Sequence, residues 1–143
     1  MSDAAALPLT GLQVVDLTSN IAAPWAGAIL RDLGADVRHV ESPAGDDSRR
    51  MSPVMETASA YFHVVNRGKQ VVRLDLHDPG DRARLDAFLT AADVFLTNLR
   101  PDTLERHALD AASLARSHPR LIHAALSAYG PVGGERQQPG YDA

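Results

Sequence analysis

The chain has 143 residues, the length of a single domain, and its 45% hydrophobic and 22% charged residues are typical of a globular protein. A net charge of −4 without a basic stripe argues against nucleic acid as the main partner, and no apolar run is long enough to span a membrane. Cysteine is absent, which excludes disulfides and thiolate chemistry, and the first residues lack a secretion signal, so we expect a cytoplasmic protein.

The first predicted elements form a βαβ unit. A strand over residues 12–16 is followed by a helix in "AAPWAGAILRD", where Pro24 suits the first turn and Gly34 suits the position after the last turn. Four apolar side chains fall on one face of this helix: Trp25, Ile29, Leu30 and Leu33. A second strand ending at Glu41 completes the unit.

The rest of the chain continues the alternation of strands and helices. Residues 42–58 are predicted to be an irregular loop, and residues 60–66 fit either a helix or a strand. Apolar runs predict three more strands: residues 70–76, 94–98 and 120–127. A helix begins at Asp78-Pro79, and a second helical region covers 102–117. This order predicts an α/β fold, in which residues 1–143 form one Rossmann-like domain with a doubly wound, mainly parallel sheet.

Polar residues in the loops after the predicted strands are candidates for a ligand site, because open parallel sheets bind ligands beyond the carboxyl ends of their strands. These residues are Asn20, Asn98, Arg100, Arg106, Ser127 and Tyr129. Arg100 and Arg106 suit a phosphate-bearing ligand, with simple solvation as the alternative. Lys69, the only lysine, either carries a ligand phosphate or is the single lysine of an arginine-biased composition.

Several common sites are excluded because their motifs are missing. The turn after the first strand lacks the glycines of a dinucleotide-binding site, and the sequence contains no P-loop. The six histidines do not have metal-ligand spacing, and "ALSAYG" is not a nucleophile elbow. From these motifs the sequence indicates no more than a phosphate-bearing ligand, and no metal.

Four segments cover nearly the whole chain in order: "LTGLQVVDLTSNIAAPWAGAILRDLGADVRHVESPAGDDSR", "NRGKQVVRLDL", "ADVFLTNLRPDTLERHAL" and "PRLIHAALSAYGPVGGERQQPGYD". Together they resemble the amino-terminal part of the family III CoA-transferases, which include formyl-CoA:oxalate and carnitine CoA-transferases and share their fold with the α-methylacyl-CoA racemases. The resemblance implies a CoA-binding segment that is incomplete relative to the family. It also implies acyl-CoA and a carboxylic acid as substrates, and full-length members that are interlocked homodimers.

The resemblance further implies which residues bind CoA, and they lie in four loops. Ile21 and Ala22 are expected at the thioester end, and Asn66, Arg67, Gly68 and Lys69 at the adenosine. Asn98, Leu99 and Arg100 belong to a family block that is followed by Arg106, which is expected to contact a phosphate. Leu126, Ser127, Ala128 and Tyr129 follow the last strand. Ala23 and Asp102 stand where most members have glycine, and Leu99 replaces phenylalanine, which implies weaker contacts to CoA.

In the family, an aspartate attacks the acyl-CoA thioester to form a mixed anhydride and then carries CoA as a thioester. It lies a few dozen residues beyond the "PGYD" segment, so no catalytic residue is assigned here and we expect the chain alone to be inactive. Tyr141 replaces a racemase histidine and is a poor base at neutral pH, which favours a transferase over a racemase.

Two alternatives remain open. The first is a short protein that binds CoA without catalysis or needs a partner chain, and the second is an unrelated nucleotide-binding Rossmann module. If the chain is a segment of a longer fold, we also expect exposed apolar surface on the sheet and a tendency to associate.

Overall fold

A computed structural model describes residues 6–140 and contains a five-stranded sheet flanked by helices. The strands are β1 (Gln13–Leu17), β2 (Asp36–Glu41), β3 (Gln70–Arg73), β4 (Val94–Thr97) and β5 (Ile122–Ala125). The helices are α1 (Ala22–Asp32), α2 (Ala60–Val65), α3 (Pro79–Ala91), α4 (Pro101–Arg106) and α5 (Ala111–Ser117), with a 3₁₀ turn at Asp47–Arg50. All neighbouring strands are parallel, in the order β3-β2-β1-β4-β5, and the predicted fold class is confirmed.

Two hydrophobic clusters lie on opposite faces of the sheet, since successive strand residues point to opposite sides. Val15 and Phe95 belong to the larger cluster, together with Leu85 of α3 and Leu114 of α5. The smaller cluster, formed around Val14, Val37 and Leu96, packs against Leu30 of α1. Both faces of β1 are therefore buried, as expected for the central strand of a doubly wound sheet.

Local capping resolves the segments that the sequence left open or merged. Residues 60–65 form α2, because the Ser59 hydroxyl accepts a hydrogen bond from the Phe62 amide at 3.0 Å. The single helical region predicted over 102–117 is two helices, interrupted at Ala108 (φ +51°). Asp110 starts the second of them by accepting from the Ser113 amide at 3.0 Å.

The apolar face predicted for α1 points mainly away from the sheet. Trp25, Ile29 and Leu33 are 40–45% exposed, and only Leu30 of the four packs on the core. Small residues face the sheet instead: Ala23, Gly27 and Ala28 are buried. They leave room for a buried ion pair beneath the helix, whereas the larger side chains cover its outer side.

The outer side of α1 continues onto α2, where Tyr61 and Val64 are also exposed. Ile21, Trp25 and Tyr61 line a hollow of about 270 Å³ between the two helices. This apolar surface lies on two helices; on the sheet, where exposed apolar surface was expected, Val71 of β3 and Ile122 of β5 are exposed. Among the described residues, no helix is long and apolar enough to cross a membrane.

Candidate functional site

The strand order reverses between β1 and β4. From β1 the chain adds β2 and β3 on one side of the sheet, and it then adds β4 and β5 on the other side of β1. At such a switch point the loops beyond the two strands turn in opposite directions and leave a crevice. Here the loops are those following Leu17 of β1 and Thr97 of β4. The crevice is therefore lined by segments that the sequence analysis assigned to a ligand site.

Asn98 joins the two loops at the bottom of this crevice. Its side-chain oxygen accepts a hydrogen bond from the Ser19 amide at 2.9 Å, and its Nδ2 donates to the Ser19 carbonyl oxygen at 2.9 Å. Both ends of the carboxamide are thus bonded to the backbone of one residue. Asn98 therefore lies in the crevice as predicted, but its described contacts fix the neighbouring loop.

A hollow of about 450 Å³ opens on one side of this junction, and we call it the polar hollow. Six predicted CoA-binding residues line it: Asn98, Leu99, Arg100, Leu126, Ser127 and Ala128. The loops after β4 and β5 supply these side chains, so the structure brings two separate predicted segments into one site. Arg136 and Gln138, which the sequence analysis did not single out, line the opposite wall.

A second hollow of about 310 Å³ lies on the other side of the junction, and we call it the apolar hollow. Its walls include Leu17, Val40, Leu74 and Leu76 from the ends of β1, β2 and β3, and Leu99 lines both hollows. Burial, together with the charges of His77 and two nearby arginines, lowers the pKa of His107, which also lines the hollow. At neutral pH the His107 ring is therefore uncharged.

Residues 74–77 in the wall of the apolar hollow were not predicted as site residues, because a strand was predicted over residues 70–76 and so included all of them except His77. The strand ends at Arg73, and the backbone then turns across the end of the sheet. A shift of a few residues in a strand end decides whether a side chain belongs to the sheet or to the crevice. Hydrophobic patterning does not resolve that shift.

Arg100 and Arg106 both lie on the β4 side of the crevice. Arg100 lines the polar hollow and precedes α4, whereas Arg106 is at the far end of that helix with its side chain 61% exposed. The Arg106 guanidinium is 3.6 Å from the Asp102 carboxylate, a pairing that solvent screens. Thr103 lines both hollows from the helix between the two arginines.

The remaining predicted residues of the outer loops are more peripheral. Ile21 and Ala22 are exposed at the start of α1, directly after the Ser19–Asn20 turn. Tyr129 is 56% exposed and is not among the residues that line either hollow. Tyr141, which favours a transferase over a racemase, lies outside the described residues, so that interpretation stays a prediction.

The Asn66–Lys69 turn is not brought to the crevice. Arg67 is paired with Asp32 at the last residue of α1, and Arg31 donates to the Gly68 carbonyl oxygen at 2.8 Å. This end of α1 is at the amino edge of the sheet, opposite the crevice. The adenosine contact predicted for the turn stays a prediction without support from this placement.

Lys69 instead reaches under α1, where its ammonium group is fully buried. Its Nζ donates to Asp16 Oδ2 at 2.7 Å, to the Pro24 carbonyl oxygen at 2.8 Å and to Asn66 Oδ1 at 2.8 Å. These acceptors use all three protons of an ammonium. In this structure Lys69 therefore has no proton left for a ligand phosphate.

Asp16, Lys69 and His39 form the centre of a buried ionic network below the crevice. The His39 Nδ1 is 3.5 Å from Asp16 Oδ1, and both side chains are fully buried. Burial acts to raise the pKa of Asp16, but the nearby His39 and Lys69 outweigh it and the pKa is lowered. Burial also lowers the pKa of Lys69, against the opposing charge of Asp16. Asp16 and Lys69 are therefore best described as a charged pair at neutral pH.

Within residues 6–140, no three histidine, aspartate or glutamate side chains are grouped in a way that could hold a metal ion. The polar side chains that line the polar hollow are amides, hydroxyls and guanidinium groups, whereas the carboxylates of Glu41, Asp46, Asp47 and Asp75 line the apolar hollow. Amides, hydroxyls and guanidinium groups bind oxyanions and carbonyl groups. They are suited to recognising a phosphate-bearing ligand.

The chain is similar in sequence to several CoA-transferases. The profile of the family described as CoA-transferase family III matches residues 9–143. An acetyl-CoA:oxalate CoA-transferase of Acetobacter aceti is 41% identical over 136 residues, which are 94% of this chain and 35% of that protein. A succinate–glutarate CoA-transferase of Agrobacterium fabrum is 38% identical over 94% of this chain and 36% of its own length.

The structural comparison gives the same result. A crystal structure of a CAIB/BAIF family protein from Brucella suis superimposes with a TM-score of 0.89 at 39% identity, over 96% of this chain and 38% of that chain. The chain thus spans a little over a third of the length of these relatives. The chain belongs to CoA-transferase family III, whose profile matches nearly all of it.

Proposed function

We propose that this chain is the amino-terminal, CoA-binding part of a family III CoA-transferase, whose whole protein moves CoA from an acyl-CoA to a carboxylic acid. The observation that carries the proposal is the pair of hollows at the switch point, which meet at Ser19 and Leu99. One hollow is polar and the other is mainly apolar. A ligand with a planar base, a charged middle and a long polar arm matches that arrangement.

The apolar hollow fits the adenine ring of CoA. Leu74 and Leu99 supply apolar walls, and the backbone of residues 74–77 offers polar groups of the kind that recognise the edge of a base. The neutral His107 adds no positive charge at this position. The adenosine contact proposed here replaces the one expected from the Asn66–Lys69 turn.

The phosphates would lie between the hollows, on the side of α4. Arg100 and Arg106 flank this helix at its two ends, and a guanidinium group binds phosphate oxygens through two parallel hydrogen bonds. The pantetheine arm would continue through the polar hollow, past Ser127 and Ala128. Its thioester end would then reach the turn before α1, at Ile21 and Ala22.

This chain would bind and orient CoA, and the covalent chemistry would need other parts of the protein. In the proposed reaction an aspartate oxygen attacks the thioester carbonyl, the C–S bond breaks, and the CoA thiolate leaves as the mixed anhydride forms. The thiolate then attacks the aspartyl carbonyl of the anhydride and releases the acyl group as its carboxylate. The acceptor carboxylate then attacks the aspartyl thioester and displaces the CoA thiolate as a second mixed anhydride forms. The thiolate attacks the acceptor carbonyl of that anhydride, which gives the new acyl-CoA and releases the aspartate as its carboxylate. We assign none of the described residues to the nucleophile.

The proposal includes a cytoplasmic homodimer for the whole protein. The outer side of α1 and α2 supports a contact with another part of the whole protein or with a second subunit. Its apolar side chains are 44–47% exposed: Trp25, Ile29, Tyr61 and Val64. Apolar surface of this kind is usually covered in a complete assembly. The absence of cysteine from the chain supports the cytoplasm, where proteins do not depend on disulfides.

Calorimetric titration of the chain with CoA, at fixed low salt, tests the phosphate contacts. We expect Arg100→Ala and Arg106→Ala each to weaken CoA binding about tenfold, because each removes a charge-assisted hydrogen bond. Arg116→Ala is the matched control, since Arg116 is exposed on α5 and donates to Ser113 Oγ within its own helix. Unchanged affinity in both crevice variants would remove the proposed phosphate site.

A further inference from the structure

The turn that joins β1 to α1 has an unusual backbone. Asn20 adopts φ +66°, a left-handed conformation that is sparsely populated for residues with a side chain, although asparagine tolerates it better than most. Ile21 follows as the N-cap of α1 and supplies no side-chain hydrogen bond to the helix start. The turn therefore does not hold its own shape through a local cap, and its conformation depends on neighbouring loops.

One neighbour is Asn98, which bonds both the amide and the carbonyl of Ser19. The other neighbour is Asp46, in the loop after β2, whose Oδ1 accepts a hydrogen bond from the Asn20 amide at 3.3 Å. The turn is thus held on one side from the end of β4 and on the other side from the end of β2. Both contacts join residues that are far apart in the sequence.

Asp46 is itself fixed in place. Its side chain is 1% exposed, and its Oδ1 also accepts from the Ser48 amide at 2.7 Å. Its Oδ2 lies 3.9 Å from His39 Nε2 and has no hydrogen-bond partner among the described residues. A buried carboxylate held between a loop amide and the ionic network is a rigid acceptor for the Asn20 amide.

We propose that Asp46 is a positioning residue, which holds Asn20 in the left-handed conformation and so presents the backbone of residues 20–22 to the ligand in a fixed geometry. The effect on the ligand rests on the proposed CoA site, whereas the effect on the turn does not. The competing explanation is purely local: Asp46 caps the 3₁₀ turn at Asp47–Arg50 through Ser48 and has no influence on Asn20.

The backbone amides of Asn20 and Ser48 distinguish these explanations, because Asp46 accepts a hydrogen bond from each of them. We would measure residue-resolved amide hydrogen exchange by NMR in the 143-residue chain and in Asp46→Ala and Asp46→Asn. Positioning predicts that exchange of the Asn20 amide rises at least tenfold in Asp46→Ala and less in Asp46→Asn, which keeps an acceptor oxygen. A local cap predicts faster exchange at Ser48 alone, and that result would overturn the proposal.

Asp47 gives the matched control in the same loop. Its side chain is 74% exposed and is paired with Arg50. Asp47→Ala and Asp47→Asn therefore each remove one negative charge, as the Asp46 variants do, from a side chain that is not bonded to Asn20. Both should leave exchange at Asn20 as in the wild type. If Asp46→Ala does not fold, the comparison of Asp46→Asn with Asp47→Asn decides: equal exchange at Asn20 would overturn the proposal.

CoA titration of the same variants adds the functional readout. We expect a three- to tenfold loss of affinity in Asp46→Ala, partial recovery in Asp46→Asn, and wild-type affinity in Arg116→Ala, whose side chain is exposed on α5 outside both hollows. If the wild-type chain does not bind CoA while Asn20 exchange still responds to Asp46, the proposed function fails and the positioning role stands. If CoA binds equally well to all variants that fold, Asp46 does not position the ligand.

Discussion

Gly27→Ala should destabilise the chain by about 3 kcal/mol, although the same change in an ordinary helix interior stabilises by up to about 1 kcal/mol. A Cβ at residue 27 would lie 2.5 Å from Asp16 Oδ2 and 3.0 Å from Lys69 Nζ. Both atoms belong to the buried ion pair, so they cannot move without losing hydrogen bonds. The expected loss combines overpacking with disturbance of that pair.

Urea unfolding of the chain measures this effect as a shift in the transition midpoint. Gly134→Ala is the control, because a Cβ there meets no atom within 4 Å and the residue is outside the helices. It should change the free energy of unfolding by less than about 0.5 kcal/mol. An increase in stability for Gly27→Ala would show that the ion pair does not fill the space beneath α1.

Lys69→Met should destabilise the chain by about 4 kcal/mol, because it leaves the Asp16 carboxylate buried without its main hydrogen-bonded cation. Methionine has a similar length, so little packing volume is lost. Arg67→Met is the matched control from the same turn: its pair with Asp32 is 39% and 51% exposed, and such pairs contribute at most about 1 kcal/mol. Equal losses for the two variants would contradict a special role for Lys69.

The loss from Lys69→Met should also depend on pH in a defined direction. In the wild type the pKa of Asp16 lies below the ordinary value of an aspartate, so the stability that the carboxylate contributes is present above that ordinary value and is lost as the pH falls through the folded pKa. Without Lys69 the pKa of Asp16 rises, because the lysine charge no longer offsets the burial that disfavours the ionised carboxylate. The difference between variant and wild type should therefore be largest at pH 7 and should shrink on acidification. A difference in the free energy of unfolding that is the same at every pH would mean that Lys69 does not act through Asp16.

Periodicity predicted the order and type of most elements, because each strand is a short apolar run and Asp78 and Pro79 mark the start of α3 in the sequence itself. It did not predict which side of α1 is buried. The large apolar residues of that helix are the obvious core candidates, yet Gly27 and Ala28 face the sheet. The reason is the Asp16–Lys69 pair, and a contact between residues 53 positions apart leaves no local pattern.

The candidate site was predictable to a similar degree. Loops after β4 and β5 were correctly placed together, since the carboxyl ends of parallel strands meet at one edge. Lys69 and Asn98 were assigned as CoA contacts by the family resemblance, and their described hydrogen bonds are to the protein. A lysine whose protons are satisfied internally looks the same in a sequence as one that binds phosphate.

The most direct test of the CoA site is an NMR titration of the 143-residue chain with CoA, in which each backbone amide reports its own surroundings. We predict saturable shifts at Ser19, Leu99 and Ser127 in the crevice and at residues 74–77 in the apolar hollow, with none at Gly68. Saturable shifts confined to the Asn66–Lys69 turn, or no shifts at millimolar CoA, would contradict a CoA site at the switch point.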